Sequence, residues 1–153
     1  MTIPRIEFYM HLEALGYDRL AEGRVECYNS DGAGIILPAT SGLIGFQSQA
    51  NLWTPGKGPI PPHDKWTVST TPEVRPDKGI EGDFFRIYPV ELINPNNAAD
   101  KRSGFGIHRD ANIPGSAGCI VIADRLHFAE FTRFMLILAA KSVKSLPLEV
   151  NYR

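Results

Sequence analysis

The sequence contains little of what membrane, secreted and nucleic-acid-binding proteins usually need. Its longest apolar run, residues 134–140, is seven residues long, whereas a membrane-spanning helix needs about 20. No basic segment followed by an apolar stretch opens the chain, so no signal peptide and no membrane insertion are predicted. With 16 basic and 17 acidic residues the formal charge is −1, whereas a dedicated nucleic-acid binder normally carries a basic excess. We expect synthesis in the cytoplasm and no nucleic-acid partner.

Cysteine is also scarce. Cys27 and Cys119 are too few for a disulfide framework or a four-cysteine zinc site. Cys27 falls in the middle of a predicted strand and is predicted to be a core residue, because unpaired cysteine is among the most buried residue types. No metal and no cofactor are predicted.

The fold class follows from composition and alternation. The 14 glycines and 12 prolines make up about 17% of the chain, above the usual ~12%, which favours a mainly β (β-rich α+β) fold. A single domain, 1–153, is predicted, in which residues 1–23 form an N-terminal extension that reads ambiguously as helix or strand. Asp124 is predicted to cap a helix over residues 125–141 whose apolar side packs on the core.

The predicted strands are residues 24–28, 34–37, 65–69, 83–90, 104–108, 119–122 and 146–152. The last of these is predicted to be an edge strand, because Pro147 cannot donate to a ladder. The predicted connections are residues 38–63, 72–82 and 94–101.

Residues 106–120 combine a strand-ending histidine with a turn of small residues that leads to a cysteine. His108 ends one predicted strand, and the turn Gly115-Ser116-Ala117-Gly118 places Cys119 at the start of the next. A cysteine nucleophile needs a base beside it, and a turn of small residues leaves its backbone N–H groups free to stabilise an oxyanion. The short connection brings the two side chains close, as a cysteine–histidine pair for acyl transfer requires.

Other arrangements of these residues fit less well. Papain-like enzymes place the cysteine before the histidine and far from it, and chymotrypsin-like cysteine proteases separate the two residues widely. A partial zinc site of His108, Asp110 and Cys119 remains an alternative, although its spacing matches no common zinc pattern.

The histidine and cysteine motif resembles that of the L,D-transpeptidase catalytic domain of the YkuD type. That family has a histidine on one strand, a loop, and then Ser-His-Gly-Cys or a close variant followed by an apolar residue. Here the motif reads His108 and then Ser116-Ala117-Gly118-Cys119-Ile120, with the histidine eleven positions before the cysteine. A weaker, pattern-level similarity extends over residues 24–152. The resemblance implies an L,D-transpeptidase-like β-sandwich/barrel with one C-terminal helix and a closing strand.

Two departures from the common motif indicate a subgroup. The loop between histidine and cysteine is short, and Ala117 stands where the common form has histidine. Both features resemble the divergent members that act as interbacterial toxins delivered by type VI secretion. This resemblance implies a delivery apparatus, an immunity protein as a partner, and action in the periplasm or on the cell wall; phage lysis is the other route to the wall.

The resemblance also implies a reaction on peptidoglycan stem peptides. Cys119 attacks the carbonyl of the third, L-configured residue, the terminal D-Ala leaves, and water or an amine resolves the thioester. His108 acts as the base, the backbone carbonyl of Arg109 orients it, and the N–H groups of Ala117, Gly118 and Cys119 form the oxyanion hole.

The substrate contacts expected from the resemblance are Ser116, Arg86 and Asp110. A guanidinium group suits a substrate carboxylate, and either Arg86 or Arg109 can supply it. Ser116 is also placed to brace the turn.

Two other functions remain open. The chain can instead be a non-catalytic binding or structural module of a phage or secretion apparatus, in which Cys119 is idle. A cysteine peptidase that acts on proteins is a third reading. Thiol reactivity distinguishes the acyl transferase from the non-catalytic module, because a nucleophile paired with a base is alkylated much faster than a buried thiol.

Overall fold

The structure is a computed structural model that describes residues 3–12, 20–77, 79–109 and 115–153. The described part of the chain is mainly β with one α-helix, which confirms the predicted β-rich α+β class. The strands are β1 (Arg5–Met10), β2 (Gly23–Tyr28), β3 (Gly34–Leu43), β4 (Thr67–Ser69), β5 (Glu73–Arg75), β6 (Gly82–Tyr88), β7 (Glu91–Asn94), β8 (Asn97–Ser103), β9 (Gly106–Arg109), β10 (Gly115–Ile122) and β11 (Ser145–Tyr152), and the helix is α1 (Arg125–Ala140).

In the described part of the chain, nine of these strands form one mixed sheet that closes on itself. Their order is β4-β11-β1-β2-β3-β10-β9-β6-β5, and β4 also pairs with β6. The strands β7 and β8 form a separate hairpin. The ambiguous N-terminal stretch contains a strand, β1, which pairs with β11 and β2; the rest of its predicted helical spacing falls partly on residues 13–19, outside the described ranges.

The core lies between the sheet and the buried side of α1. Phe131, Met135 and Leu138 of α1 are buried, and the ring of Phe131 lies edge-on to that of Phe85 with 5.2 Å between centroids. The predicted helix cap is confirmed, because the Asp124 carboxylate accepts hydrogen bonds from the first-turn N–H groups. No helix in the described ranges is both long enough and apolar enough to cross a membrane.

The predicted core role of Cys27 is confirmed. Its side chain is fully buried in β2, and burial raises the pKa of its thiol to about 12. Cys27 is therefore closed to a substrate, whereas Cys119 is partly exposed, so Cys119 is the cysteine to be considered for chemistry.

Three predicted connections contain regular structure. The strand β3 continues to Leu43; Pro38 is tolerated in it because the ladder with β10 begins only at Thr40, so Pro38 has a strand neighbour on one side. The segment 72–82 includes β5, which extends the sheet beyond β6. The segment 94–101 contributes the end of β7 and much of β8, whose side chains are mostly exposed and so lack an apolar alternation.

The prediction of an edge position for β11 was wrong. This strand lies between β4 and β1. Pro147 pairs with Thr67 at the end of the β4 ladder, and the β1 ladder begins at the next residue, Leu148. The proline therefore occupies the point where β11 changes partner, where a missing N–H costs little.

Candidate active site

His108 and Cys119 project from the same face of two adjacent strands. The parallel strands β9 and β10 pair Ile107 with Ile120 and His108 with Val121. Ile107 and Ile120 are buried in the core, and successive side chains alternate between faces. His108 and Cys119 therefore both lie on the face opposite the core, diagonally placed, with Cα atoms roughly 8 Å apart in regular strand geometry.

The imidazole of His108 is fixed through one ring nitrogen. Its Nδ1 lies 2.7 Å from the carbonyl oxygen of Arg109, and because a carbonyl only accepts, Nδ1 carries the proton and Nε2 is the basic nitrogen. The ring is 5% exposed and stacks on Phe84. Burial, and secondarily the charge of Arg75, lowers the pKa of His108 below 6.5 against the opposing effect of the Arg109 carbonyl. The imidazole is therefore neutral and basic at neutral pH, and Arg109 makes the contact that its predicted role requires.

The thiol of Cys119 is partly exposed. Its Sγ donates a hydrogen bond of 3.7 Å to the carbonyl oxygen of Gly104. Burial raises the pKa of the thiol to about 11, although the backbone of Gly106 and nearby arginines act in the opposite direction. The thiol is therefore protonated at neutral pH, so it needs a base to become a nucleophile.

The thiol and the imidazole are not joined by a hydrogen bond within the described residues. The Phe84 ring, which stacks on His108, also covers Gly106 so closely that a Cβ there would lie 2.2 Å from it. Proton transfer between the pair thus requires a closer approach than this structure shows.

Ser116 braces the turn that carries the cysteine. Its hydroxyl is 7% exposed, donates to the Cys119 carbonyl oxygen at 2.6 Å, and accepts from the N–H groups of Gly42 at 3.1 Å and Gly118 at 3.2 Å. The bracing role is present, and the hydroxyl is occupied inside the protein rather than offered to a substrate. The Gly118 N–H, predicted as an oxyanion donor, is likewise already used by Ser116.

The peptide group between Gly118 and Cys119 has a fixed orientation. The Gly118 carbonyl accepts a hydrogen bond of 2.9 Å from the buried hydroxyl of Ser41, which itself accepts from the Ile60 N–H at 2.9 Å. In a trans peptide the C=O and the following N–H point in opposite directions. The Cys119 N–H therefore points away from Ser41. The N–H groups of Cys119 and Ala117 remain the candidates for oxyanion donors.

Arg102 is a site residue that the sequence did not reveal. Its guanidinium is almost completely buried. One terminal nitrogen donates to the carbonyls of Leu52 at 2.6 Å and Pro59 at 3.0 Å, and the other donates to Gly58 at 2.9 Å and Ala117 at 3.1 Å. Arg102 thereby joins the loop after β3 to the cysteine turn. It directly follows the polar segment 94–101 that was predicted to be an exposed loop, so nothing in the local pattern distinguishes it from a surface charge.

The other arginines near the thiol are paired with carboxylates. Arg86 donates to Glu73 at 2.6 and 3.3 Å, and Arg75 pairs with Asp77. The Arg86 guanidinium predicted to meet a substrate carboxylate is thus held by Glu73. Arg102 has no carboxylate partner among the described residues, and burial lowers its pKa.

The remaining predicted contacts lie elsewhere or outside the structure. The Nε of Arg109 is buried and has no hydrogen-bond partner in the described ranges. Asp110 lies outside the described residues, so neither its substrate contact nor the alternative zinc site is tested. Within the described ranges, no group of three or more histidine, cysteine or acidic side chains is placed to hold a metal ion.

Comparison of the chain with known proteins finds no matching family model, no similar curated protein and no similar solved structure. The functional argument therefore depends on the residues of the site.

Proposed function

We propose that this protein is a cysteine-dependent acyl transferase that acts on peptidoglycan stem peptides as an L,D-carboxypeptidase, an L,D-transpeptidase or both. The observation that carries the chemistry is the placement of His108 and Cys119 on one face of adjacent strands, with the His108 imidazole fixed by the Arg109 carbonyl. The peptidoglycan substrate rests on the resemblance of the His–Cys motif to the L,D-transpeptidases.

The protonation states support a general-base mechanism. A thiol with a pKa of about 11 is protonated at neutral pH, and an imidazole with a pKa below 6.5 is neutral. The nucleophile therefore forms when His108 removes the thiol proton during attack, rather than as a standing thiolate–imidazolium pair. Binding of a substrate that brings the two groups together supplies the approach that this step needs.

The reaction then proceeds in two halves. Nε2 of His108 takes the thiol proton as Sγ of Cys119 bonds to the carbonyl carbon of the third stem residue. The N–H of Cys119, together with that of Ala117, faces the developing oxyanion. Collapse of the intermediate breaks the C–N bond, His108 returns the proton to the amine of the departing D-Ala, and a thioester remains. Water gives the carboxypeptidase product, and an amine gives the transpeptidase product.

The biological setting is proposed from the same resemblance. The enzyme acts in the periplasm or on the cell wall as an interbacterial toxin brought there by a delivery apparatus, with an immunity protein in the producing cell. Phage lysis is the other setting in which such an activity reaches the wall.

One set of observations favours a second candidate, a non-catalytic binding or structural module of a phage or secretion apparatus. The Cys119 thiol has a raised pKa, and its hydrogen bonds within the described residues go to the backbone and not to His108. An idle cysteine left in an inherited fold would have these properties.

Product analysis separates the two candidates. Wild type and the variants Cys119→Ala, His108→Asn and Cys27→Ala are incubated with disaccharide-tetrapeptide fragments, with and without an added D-amino acid, and the products are followed by mass spectrometry. The enzyme predicts loss of D-Ala with wild type and Cys27→Ala only, and the share of D-amino-acid adduct measures transfer against hydrolysis. Equal, unchanged substrate in all four samples would favour the binding module.

A further inference from the structure

A small pocket opens beside the Cys119 thiol on the side of Arg102. Its volume is about 240 Å³, the space of about eight water molecules in the liquid. It is therefore large enough for a small carboxylate-bearing group and too small for a folded partner. The lining residues are Pro55, Gly56, Lys101, Arg102, Ser103, Gly104, Phe105, Ala117 and Cys119.

The part of the pocket wall that the structure describes is positively charged. Lys101 and Arg102 belong to it, and no aspartate or glutamate among the described residues does. The ammonium group of Lys101 is exposed and makes no ion pair with a described residue. Arg102 uses all four N–H bonds of its terminal nitrogens on backbone carbonyls, so it contributes a fixed charge behind the pocket wall. Lys101 is the group that is free to move onto a ligand.

We infer that this pocket binds the free C-terminal carboxylate of the residue that leaves during acyl transfer, with Lys101 as the contacting residue and Arg102 as the fixed charge. The inference rests on the proposed function for the identity of the leaving residue. A D-Ala leaving group consists of little more than a methyl and a carboxylate, which matches the size and sign of the pocket. The same site disfavours substrates in which the chain continues beyond the leaving residue, so the activity is that of an exo-acting enzyme.

The charge of the pocket is measured first, without any peptidoglycan. Iodoacetate, an anion, and iodoacetamide, its neutral analogue, alkylate the same thiol, and the ratio of their rate constants reports the local charge. Lys101→Ala should lower this ratio by about twofold to fivefold, as expected for loss of one partly solvated ion pair. The exposed Lys141→Ala, outside the pocket lining, is the matched control and should leave it unchanged, and Cys119→Ala identifies the labelled thiol. An equal ratio in wild type and Lys101→Ala would overturn the anion pocket.

The identity of the anion is measured next, with tetrapeptide fragments that end in a carboxylate or in an amide. The inference predicts that wild type has the lower KM for the carboxylate form and that Lys101→Ala raises this KM several-fold, with kcat and the amide substrate little changed. Equal kcat/KM for both peptides refutes recognition of the leaving carboxylate while the proposed function stands. If neither peptide is cleaved and the alkylation ratio still depends on Lys101, the anion pocket is supported and the proposed function fails.

Discussion

Replacement of Arg102 by methionine removes the side chain that joins the loop after β3 to the cysteine turn. Four backbone carbonyls lose a charged donor; the contacts to Leu52, Pro59 and Gly58 are buried, and the contact to Ala117 is partly buried. Hydrogen bonds to charged groups contribute about 1.5–3 kcal/mol each, but desolvation of the guanidinium offsets part of their sum. Buried carbonyls left without a donor cost about 1–3 kcal/mol each, and relief of the guanidinium desolvation offsets part of this, so we expect a net loss of about 3–5 kcal/mol. This is a large fraction of the stability of a typical domain.

The assay is urea and thermal unfolding followed by tryptophan fluorescence, for which the buried Trp66 is a suitable probe. For a chain of this length, a loss of about 3–5 kcal/mol lowers Tm by roughly 6–20 °C. Arg102→Lys should fall between wild type and Arg102→Met, because an ammonium keeps the charge but cannot reach four carbonyls with one planar fork. Alkylation of Cys119 should also slow in Arg102→Met, since the guanidinium charge lowers the pKa of the thiol.

The control is Arg133→Met on the exposed side of α1, which should change stability by less than about 0.5 kcal/mol. The reasoning is refuted if Arg102→Met unfolds at the same urea concentration as Arg133→Met. It is also refuted if Arg102→Lys lowers stability as much as Arg102→Met, because the retained positive charge would then contribute nothing to the free energy of unfolding.

Three further predictions concern the turn, the strand beside it and pH. Ser116→Ala should destabilise by about 2–4 kcal/mol, because two buried and one partly buried backbone groups lose their partner; a urea midpoint equal to that of wild type would contradict this. Gly106→Ala should lower stability and acyl transfer together, because its Cβ would lie 2.2 Å from the Phe84 ring, and the double variant with Phe84→Leu should recover part of the stability. The acid limb of kcat/KM should lie below pH 6.5, because burial lowers the pKa of His108. Since the unfolded chain binds that proton more tightly, the contribution of His108 to stability is complete above pH 6.5 and declines as pH falls through its folded pKa; urea midpoints across this range measure it.

The sequence predicted the strands and the helix where apolar alternation or a cap was strong. The helix is an example, since its Asp124 cap and apolar stripe are local features. The hairpin of β7 and β8 escaped prediction because most of its side chains are exposed, so no alternation marks it. Closure of the sheet through β4 and β6 depends on long-range pairing that no local pattern encodes.

The same limit applies to the site. The turn and the His–Cys spacing pointed to Cys119 and His108, which are close in the chain, and the family resemblance added Arg109; the catalytic roles of all three remain predictions. Arg102 was missed because its partners lie up to 50 residues away. The direction of the Cys119 pKa shift was also outside the reach of the sequence, since it depends on how tertiary packing balances burial against nearby positive charge.

The most direct test of the central claim is the rate of D-Ala release from a disaccharide-tetrapeptide, compared between wild type, Cys119→Ala and Cys27→Ala. The account predicts release by wild type and by Cys27→Ala, and none above background with Cys119→Ala. Release by Cys119→Ala at the wild-type rate, or no release by any of the three folded proteins, would contradict acyl transfer through Cys119.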